Sequence, residues 1–248
     1  MGLISKDKLK WIAGKENLNI IYLEKDYFLT LLLSQIKDIG KIYLKGGTAI
    51  NKILLSHKRL SEDLDFTCEK DVKKTLEEIK NAIQDKDEFT HLEKVNSTDG
   101  YIRAKIHYKS YFQKEATIIL DLNEKASVHL DPEQVDLPNF YNLEFKINIL
   151  NRKELVAEKI RALITRNQPR DYFDVYHLLE KYKVDWNLVE KKVKEAGEKY
   201  NRERILKNTQ KVYSRWEEDL LPLVKEELTF IECIRKLRKE LIHDQNKN

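Results

Sequence analysis

Cysteine, proline and glycine are scarce in this sequence, which contains 2, 4 and 7 of them among 248 residues. Two cysteines, Cys68 and Cys233, are too few for a disulfide scaffold or a zinc cluster, so we expect free thiols in a reducing compartment. The low glycine and proline content argues against long flexible linkers.

The sequence also lacks long apolar runs. No segment approaches the roughly 20 apolar residues that cross a bilayer, and the first residues contain no apolar stretch typical of a secretory signal. We therefore expect a cytoplasmic protein without a membrane partner. The net charge is only +4, from 46 basic and 42 acidic residues, which permits contact with nucleic acid without requiring it.

The periodicity of the apolar residues predicts helices at both ends of the chain and strands between them. Helices are predicted at residues 5–37, 71–85, 186–200, 202–214 and 223–242, and strands at residues 42–44, 101–109, 116–122 and 143–149. The apolar run 116–122 is typical of a strand covered on both faces. This order predicts an α+β fold with a mixed sheet flanked by helices. We place a core domain at 1–150 and a mostly helical domain at 151–248, and expect residues 243–248 to fray.

A glycine turn and a pair of aspartates lie close together in the first third of the chain. Gly46-Gly47-Thr48 follows a short apolar strand and opens a helix-like segment, where the backbone N–H groups and the threonine hydroxyl favour an anion. Asp63 and Asp65 have strand spacing, so both carboxylates point to one face and repel each other unless a divalent cation lies between them. Each motif alone is a weak signal, but together they suit a Mg²⁺–nucleoside triphosphate.

Further residues near these motifs are candidates for the same site. Lys45, Arg59 and Ser61 are close in sequence to the two motifs, where the two cations can offset phosphate or carboxylate charge and Ser61 can orient the aspartate segment. Asp121 interrupts an apolar strand, and a charge there is costly without a partner such as a metal or a base. It is either a strand-end residue that caps a turn or the third ligand of a two-metal site.

The glycine turn, a helix and the segment Arg59-x-Ser61-x-Asp63-x-Asp65-Phe66 together resemble the signature of the abortive-infection AbiEii toxin group. That group belongs to the nucleotidyltransferase superfamily, whose core is similar to that of DNA polymerase β. The resemblance runs from about Leu31 to about Leu179. It implies a polymerase β-like mixed-sheet core, Mg²⁺ or Mn²⁺ as cofactor, and a strand aspartate such as Asp121 that completes the metal site.

A second cluster resembles the later motifs of the same family. The resemblance implies that Lys159, on a helix, contacts the triphosphate, and that Arg170, Asp171 and Asp174 match the motif that follows. A lysine is a compact charge that suits a β- or γ-phosphate. Both aspartates also have a structural explanation, because carboxylates near a helix start favour its dipole and Asp174 can pair with Arg170. Arg166 and Arg170 can bind nucleotide or acceptor, or pair with these aspartates.

The residues and the resemblance predict a Mg²⁺-dependent nucleotidyltransferase that moves NMP from an NTP to an RNA or protein acceptor. The resemblance alone implies that this activity poisons the host cell, that some members target the 3′ end of tRNA, and that a cognate antitoxin accompanies the toxin. Two alternatives stay open. Arg170 and His177 fit the loose pattern of HEPN-type ribonucleases, and the same fold can carry a catalytically silent nucleotide-binding or interaction protein.

Overall fold

The computed structural model of the protein describes residues 3–207 and 209–242. The chain divides into two compact units, Met1–Asn151 and Arg152–Asn248. The fraying predicted for residues 243–248 lies outside the described residues. Within the described ranges, no helix combines the length and the apolar character needed to cross a membrane.

A seven-stranded mixed sheet forms the core of the first unit. Its strands are β1 (Ile42–Lys45), β2 (Asp63–Cys68), β3 (Phe89–Thr98), β4 (Tyr101–Tyr108), β5 (Thr117–Asn123), β6 (Glu133–Asp136) and β7 (Lys146–Ile149). They lie in the order β3-β4-β5-β2-β1-β7-β6. β2 and β5 are parallel, as are β1 and β7, and the other neighbours are antiparallel. The predicted α+β class with a mixed sheet is confirmed.

Helices flank this sheet. They are α1 (Lys6–Glu16), α2 (Ile20–Ile36), α3 (Gly46–Ala49), which continues as a π-helical segment (Ile50–Leu54), and α4 (Val72–Ile83). Both α2 and α4 contact β5. One face of β5 carries Ile118, Leu120 and Leu122, all fully buried, while its other face is only half-buried. The apolar run predicted a strand covered on both faces, and this prediction is wrong for one of them. The half-buried face carries Asp121.

The helix predicted over residues 5–37 is broken in two. Asn17 ends α1 with a φ of 51°, and Asn19 begins α2 by accepting a hydrogen bond from the Ile21 N–H at 2.9 Å. Asparagine tolerates the left-handed conformation at a helix end and caps a helix start well, so the prediction of a continuous helix was wrong at this point.

Helices make up the second unit. Its elements are α5 (Arg152–Thr165), α6 (Pro169–Leu178), α7 (Trp186–Glu195), a 3₁₀ segment (Arg202–Leu206), α8 (Thr209–Tyr213), α9 (Trp216–Leu220) and α10 (Phe230–Leu241). Helix α5 contacts both α6 and α7. The helix predicted at 202–214 is replaced by two short elements, and the one predicted to start at residue 223 begins at Phe230.

Candidate active site

Charged residues on four neighbouring strands form one row across the half-buried face of the sheet. Asp65 of β2 is the register partner of Asp121 of β5. Lys45 of β1 pairs with Asp65 on one side, and Arg103 of β4 pairs with Asp121 on the other. Neighbouring strands are about 4.8 Å apart and register partners share a face. The resulting charge row, Lys45–Asp65–Asp121–Arg103, places two carboxylates side by side with a cation at each end.

The second aspartate of β2 lies on the same face as this row. Asp63 and Asp65 are both half-buried, while Leu64 between them is fully buried on the opposite face. The backbone oxygen of Asp63 accepts a 2.6 Å hydrogen bond from the Thr48 hydroxyl, and Thr48 is itself fully buried. The hydroxyl of Thr48 therefore fastens the glycine turn to the start of β2.

The glycine turn approaches Asp65 so closely that a side chain on Gly46 would clash with it. Gly46 has a φ of 69°, and a Cβ placed on it would lie 2.1 Å from Asp65 Oδ2. A Cβ on Gly47 would lie 2.8 Å from Ser61 Oγ and 2.9 Å from Arg59 Nη2. Gly46 is therefore required by its conformation and its close approach to Asp65, whereas a side chain on Gly47 would have to displace the side chains of Ser61 and Arg59. The backbone of the turn borders the Asp65 carboxylate.

Arg59 is built into the fold beside this turn. Its side chain is buried and donates from Nη1 to the Leu60 carbonyl at 2.8 Å. Its backbone N–H donates to Asn51 Oδ1 at 3.3 Å, and Asn51 Nδ2 donates to the Gly47 carbonyl at 3.1 Å. These bonds connect the segment before β2 to the glycine turn at the start of α3. The predicted residues from Lys45 to Thr48, with Arg59, Ser61, Asp63, Asp65 and Asp121, are thus neighbours in the first unit.

A buried ion pair anchors the helical segment that follows the turn. Lys52 Nζ lies 2.7 and 2.8 Å from the two carboxylate oxygens of Asp26 in α2 and 3.0 Å from Thr30 Oγ1. The Tyr141 hydroxyl also donates to Asp26, at 2.9 Å. Burial, reinforced by the Asp26 carboxylate, raises the pKa of Tyr141 well above its usual value. No spacing in the sequence indicated this network, which holds the π-helical extension of α3 against α2.

Asp121 is engaged by two residues that the sequence analysis missed. Arg103 donates from Nε to Oδ1 at 2.8 Å and from Nη2 to Oδ2 at 2.7 Å, and the Tyr101 hydroxyl donates to Oδ1 at 2.6 Å. Burial and the Asp121 carboxylate raise the pKa of Tyr101 to about 12. The hydrogen bonds to Asp121 raise the pKa of Arg103 above its usual value, and Asp63 adds to that shift. Alternation along β4 could have placed both donors on one face, but not opposite Asp121.

The side chains of the first unit suit a hard divalent cation. Asp63, Asp65 and Asp121 offer carboxylate oxygens, the ligands that Mg²⁺ and Mn²⁺ prefer. Across residues 3–207 and 209–242, however, no three His, Cys, Asp or Glu side chains are grouped closely enough to hold a metal. Both oxygens of Asp121 accept hydrogen bonds from β4 residues, Arg103 and Tyr101.

The second predicted cluster is a buried ion network within the second unit. Lys159 Nζ lies 3.0 Å from Asp171 Oδ1 and 3.0 Å from Asp174 Oδ2. Arg166 donates to both oxygens of Asp171 at 2.8 Å. Both aspartates are fully buried and Lys159 nearly so. Burial acts to raise the pKa of Asp171, but Lys159 and Arg166 outweigh it and hold that pKa well below its usual value.

Arg170 and His177 also lie on α6. His177 packs edge-on against Phe173, with ring centroids 4.7 Å apart, and its Nδ1 lies 3.7 Å from a Glu180 oxygen. Its side chain is only 13% exposed, which fits a packed helix face. Arg166 is a direct partner of Asp171, which is one of the pairings that the sequence left open.

The chain is similar to one protein family and to several solved structures. A family model described as nucleotidyl transferase AbiEii toxin, type IV toxin–antitoxin system, matches residues 28–243. MenT4, a nucleotidyltransferase toxin from Mycobacterium tuberculosis, has a similar structure with a TM-score of 0.70 and 14% identity, covering 100% of this chain and 91% of that one. JHP933 from Helicobacter pylori has a TM-score of 0.61 and 20% identity, covering 90% of this chain and 91% of that one. A putative nucleotidyltransferase from H. pylori has a TM-score of 0.60 and 21% identity, covering 89% of this chain and 93% of that one. No curated protein matches the chain.

Proposed function

The chain belongs to the nucleotidyl transferase AbiEii toxin family, and on that premise we propose that it transfers NMP from an NTP to an RNA or protein acceptor with Mg²⁺ or Mn²⁺. Its nucleotidyltransferase chemistry and its toxin class follow from the family. The proposal also covers the metal, the acceptor and the cytoplasmic location. The first candidate for the acceptor is the 3′ end of tRNA.

One observation carries the proposal. Asp65 and Asp121 are register partners on parallel strands, and Gly46 brings the turn onto the Asp65 carboxylate with no room for a side chain. Two carboxylates side by side are unfavourable unless cations offset them. A glycine turn that borders such a pair supports a site where a cation and a phosphate meet.

The residues of the first unit then have distinct roles. We propose that Asp63 and Asp65 hold the metal and that Asp121 completes its ligands. A bound divalent ion would neutralise the phosphates and lower the pKa of the acceptor hydroxyl. Gly47 and Thr48 begin a helical segment, where backbone N–H groups lack intrahelical partners, so we propose that they donate to the triphosphate. We propose that Lys45 and Arg59 offset the charge of the phosphates or carboxylates near the turn, and that Ser61 orients the aspartate segment.

The second unit contributes a separate part of the proposal. We propose that Lys159 contacts a phosphate, as the family resemblance implies, and that Asp171 and Asp174 hold its ammonium group in a fixed position at 3.0 Å. Arg170 is proposed as a nucleotide contact on the same basis. A Lys159→Met variant that stays folded but keeps full transfer would remove Lys159 from the reaction.

A labelling experiment tests the activity. The full chain is incubated with each α-labelled NTP, Mg²⁺ or Mn²⁺, and total RNA. Label on RNA supports transfer to RNA, and label on protein supports protein nucleotidylation. Shortened RNA without label would support the ribonuclease alternative, and no product would favour a silent nucleotide-binding protein.

A double variant tests the metal assignment. Asp63→Asn with Asp65→Asn removes both charges while keeping side-chain size, so we expect transfer to fall by on the order of a hundredfold or more. The matched control is Asp85→Asn with Asp87→Asn, because this exposed pair has the same spacing and charge. We expect the control to keep its activity. Full transfer by the Asp63/Asp65 variant would contradict the assignment.

An antitoxin is the partner that the family suggests. We propose that a cognate antitoxin counteracts this chain in the cell. Expression of the chain alone should arrest growth, and the Asp63/Asp65 double variant should not. If growth arrest persists in that variant, toxicity does not depend on the proposed metal site.

A further inference from the structure

We propose that Arg103 occupies the place of the divalent cation at Asp121 and must release this carboxylate before both of its oxygens can coordinate metal. This inference rests on the proposed function. Arg103 holds both oxygens of Asp121, at 2.8 and 2.7 Å. Tyr101 adds a hydrogen bond at 2.6 Å. Neither residue belongs to the motifs that carry the family resemblance.

The hydrogen bonds to Asp121 leave few acceptor positions for a metal. An ionised carboxylate has about four lone-pair positions. Oδ1 of Asp121 accepts two hydrogen bonds, from Arg103 Nε and Tyr101, and Oδ2 accepts one from Arg103 Nη2. One position on Oδ2 is left by these three bonds, and it lies beside a guanidinium cation that repels a metal ion. Bidentate or bridging coordination by Asp121 therefore requires Arg103 to move.

The exposure of the two side chains allows Arg103 to be exchanged for a metal ion at Asp121. The Arg103 side chain is 48% exposed and that of Asp121 is 14% exposed. The arginine can therefore swing toward solvent while the aspartate stays in the sheet. In the charge row, Arg103 and Lys45 balance Asp121 and Asp65 one to one. A divalent cation between the two carboxylates replaces that balance, which frees Arg103 for an anionic group.

A Mn²⁺ titration of the full chain, followed by electron paramagnetic resonance of the free ion without nucleotide, tests the exchange. Arg103→Ala should tighten Mn²⁺ binding by on the order of tenfold, because it removes a positive charge that repels the metal ion at short distance in a partly screened site. Arg103→Lys, which keeps the charge without the two-pronged geometry, and Tyr101→Phe should tighten binding less. A structural cross-strand ion pair would give no such gain.

Matched variants show whether the effect acts through Asp121. Lys105→Ala removes the same charge from the same face of β4, two residues from Arg103, and should change Mn²⁺ affinity by less than about twofold. In Arg103→Ala with Asp121→Asn, the gain should disappear relative to Asp121→Asn alone. Thermal melts establish that each variant is folded, and Tyr101→Phe carries the test if Arg103→Ala does not fold.

Three results would overturn the exchange. Unchanged or weaker Mn²⁺ binding in the Arg103 and Tyr101 variants, with binding still dependent on Asp63 and Asp65, contradicts it while leaving the proposed function intact. A gain that survives in the Arg103→Ala, Asp121→Asn variant contradicts it in the same way. If neither wild type nor Arg103→Ala binds Mn²⁺ at millimolar concentrations, the exchange and the proposed metal site both fail.

Discussion

Gly46 is constrained both by its backbone conformation and by its contact with the Asp65 carboxylate. Its φ of 69° and the 2.1 Å approach of a Cβ to Asp65 Oδ2 leave no space for alanine. We expect Gly46→Ala to lower the free energy of unfolding by at least about 1–3 kcal/mol, the range for a non-glycine residue in this conformation. Urea unfolding measures this loss, and the labelling assay should show reduced transfer because Asp65 is displaced.

Gly14 provides the control for that substitution. It lies within α1, and a Cβ there would meet no atom within 4 Å. Alanine favours a helix interior over glycine, so we expect Gly14→Ala to raise stability by roughly 0.5–1 kcal/mol and to leave transfer unchanged. Equal losses from both substitutions would show that the constraint at Gly46 is unimportant.

The sequence revealed some residues of the site and not others, for a physical reason. Gly46, Gly47, Asp63 and Asp65 are recognisable because their types and spacing restrict the backbone and the charge locally. Arg103 matters only because β4 pairs with β5 in the register that sets it beside Asp121. That register depends on the connection between the two strands and on how both pack, neither of which is encoded in the spacing of residues within β4.

At the scale of elements, the buried pair between Lys52 and Asp26 decides how the helical segment after the glycine turn is held. Both side chains are only 2% exposed. We expect Lys52→Met to cost about 3–5 kcal/mol, because Asp26 is then left as an uncompensated buried charge. Urea unfolding should also show that adding Asp26→Leu to Lys52→Met recovers part of this loss.

An ion pair at the surface is the matched comparison. Lys70 and Glu78 lie 2.6 Å apart, and their side chains are 21% and 47% exposed. Water screens this pair, so we expect Lys70→Met to change stability by only about 0–1 kcal/mol. If Lys52→Met costs no more than Lys70→Met, the buried pair does not anchor the segment.

Element prediction succeeded where the apolar pattern was regular. The helix predicted at 71–85 and the strand predicted at 101–109 correspond to α4 and β4, because each buries one regular stripe. β3 was not predicted, since almost all of its residues are exposed or half-buried and it therefore lacks alternation. Pairing with β4 determines its conformation, and a partner strand is invisible to a local pattern.

At the scale of the whole molecule, the buried carboxylate Asp171 links stability to acidity. Its pKa is held below its usual value by Lys159 and Arg166, which outweigh burial. A depressed pKa in the folded state contributes stability that is fully present above the unfolded value of 3.8. That contribution is lost as the pH falls through the folded value.

We therefore expect the stability gap between wild type and Asp171→Asn to be largest at neutral pH and to shrink as the pH falls below about 4. Free energies of unfolding from urea titrations at neutral, mildly acidic and strongly acidic pH measure the gap. Asp99→Asn serves as the comparison, since Asp99 is 93% exposed in its pair with Lys125. A gap for Asp171→Asn that does not vary with pH would contradict the ion network.

Parallel pairing of β2 with β5 has a consequence for how the protein is made. Parallel neighbours require a crossover, and here α4, β3 and β4 all intervene between the two strands. During translation, the glycine turn and both aspartates of β2 are therefore synthesised well before Thr117, the first residue of β5. A premature stop before that point leaves a polypeptide without Asp121, and on the proposed function we expect such a truncated product to lack transfer activity.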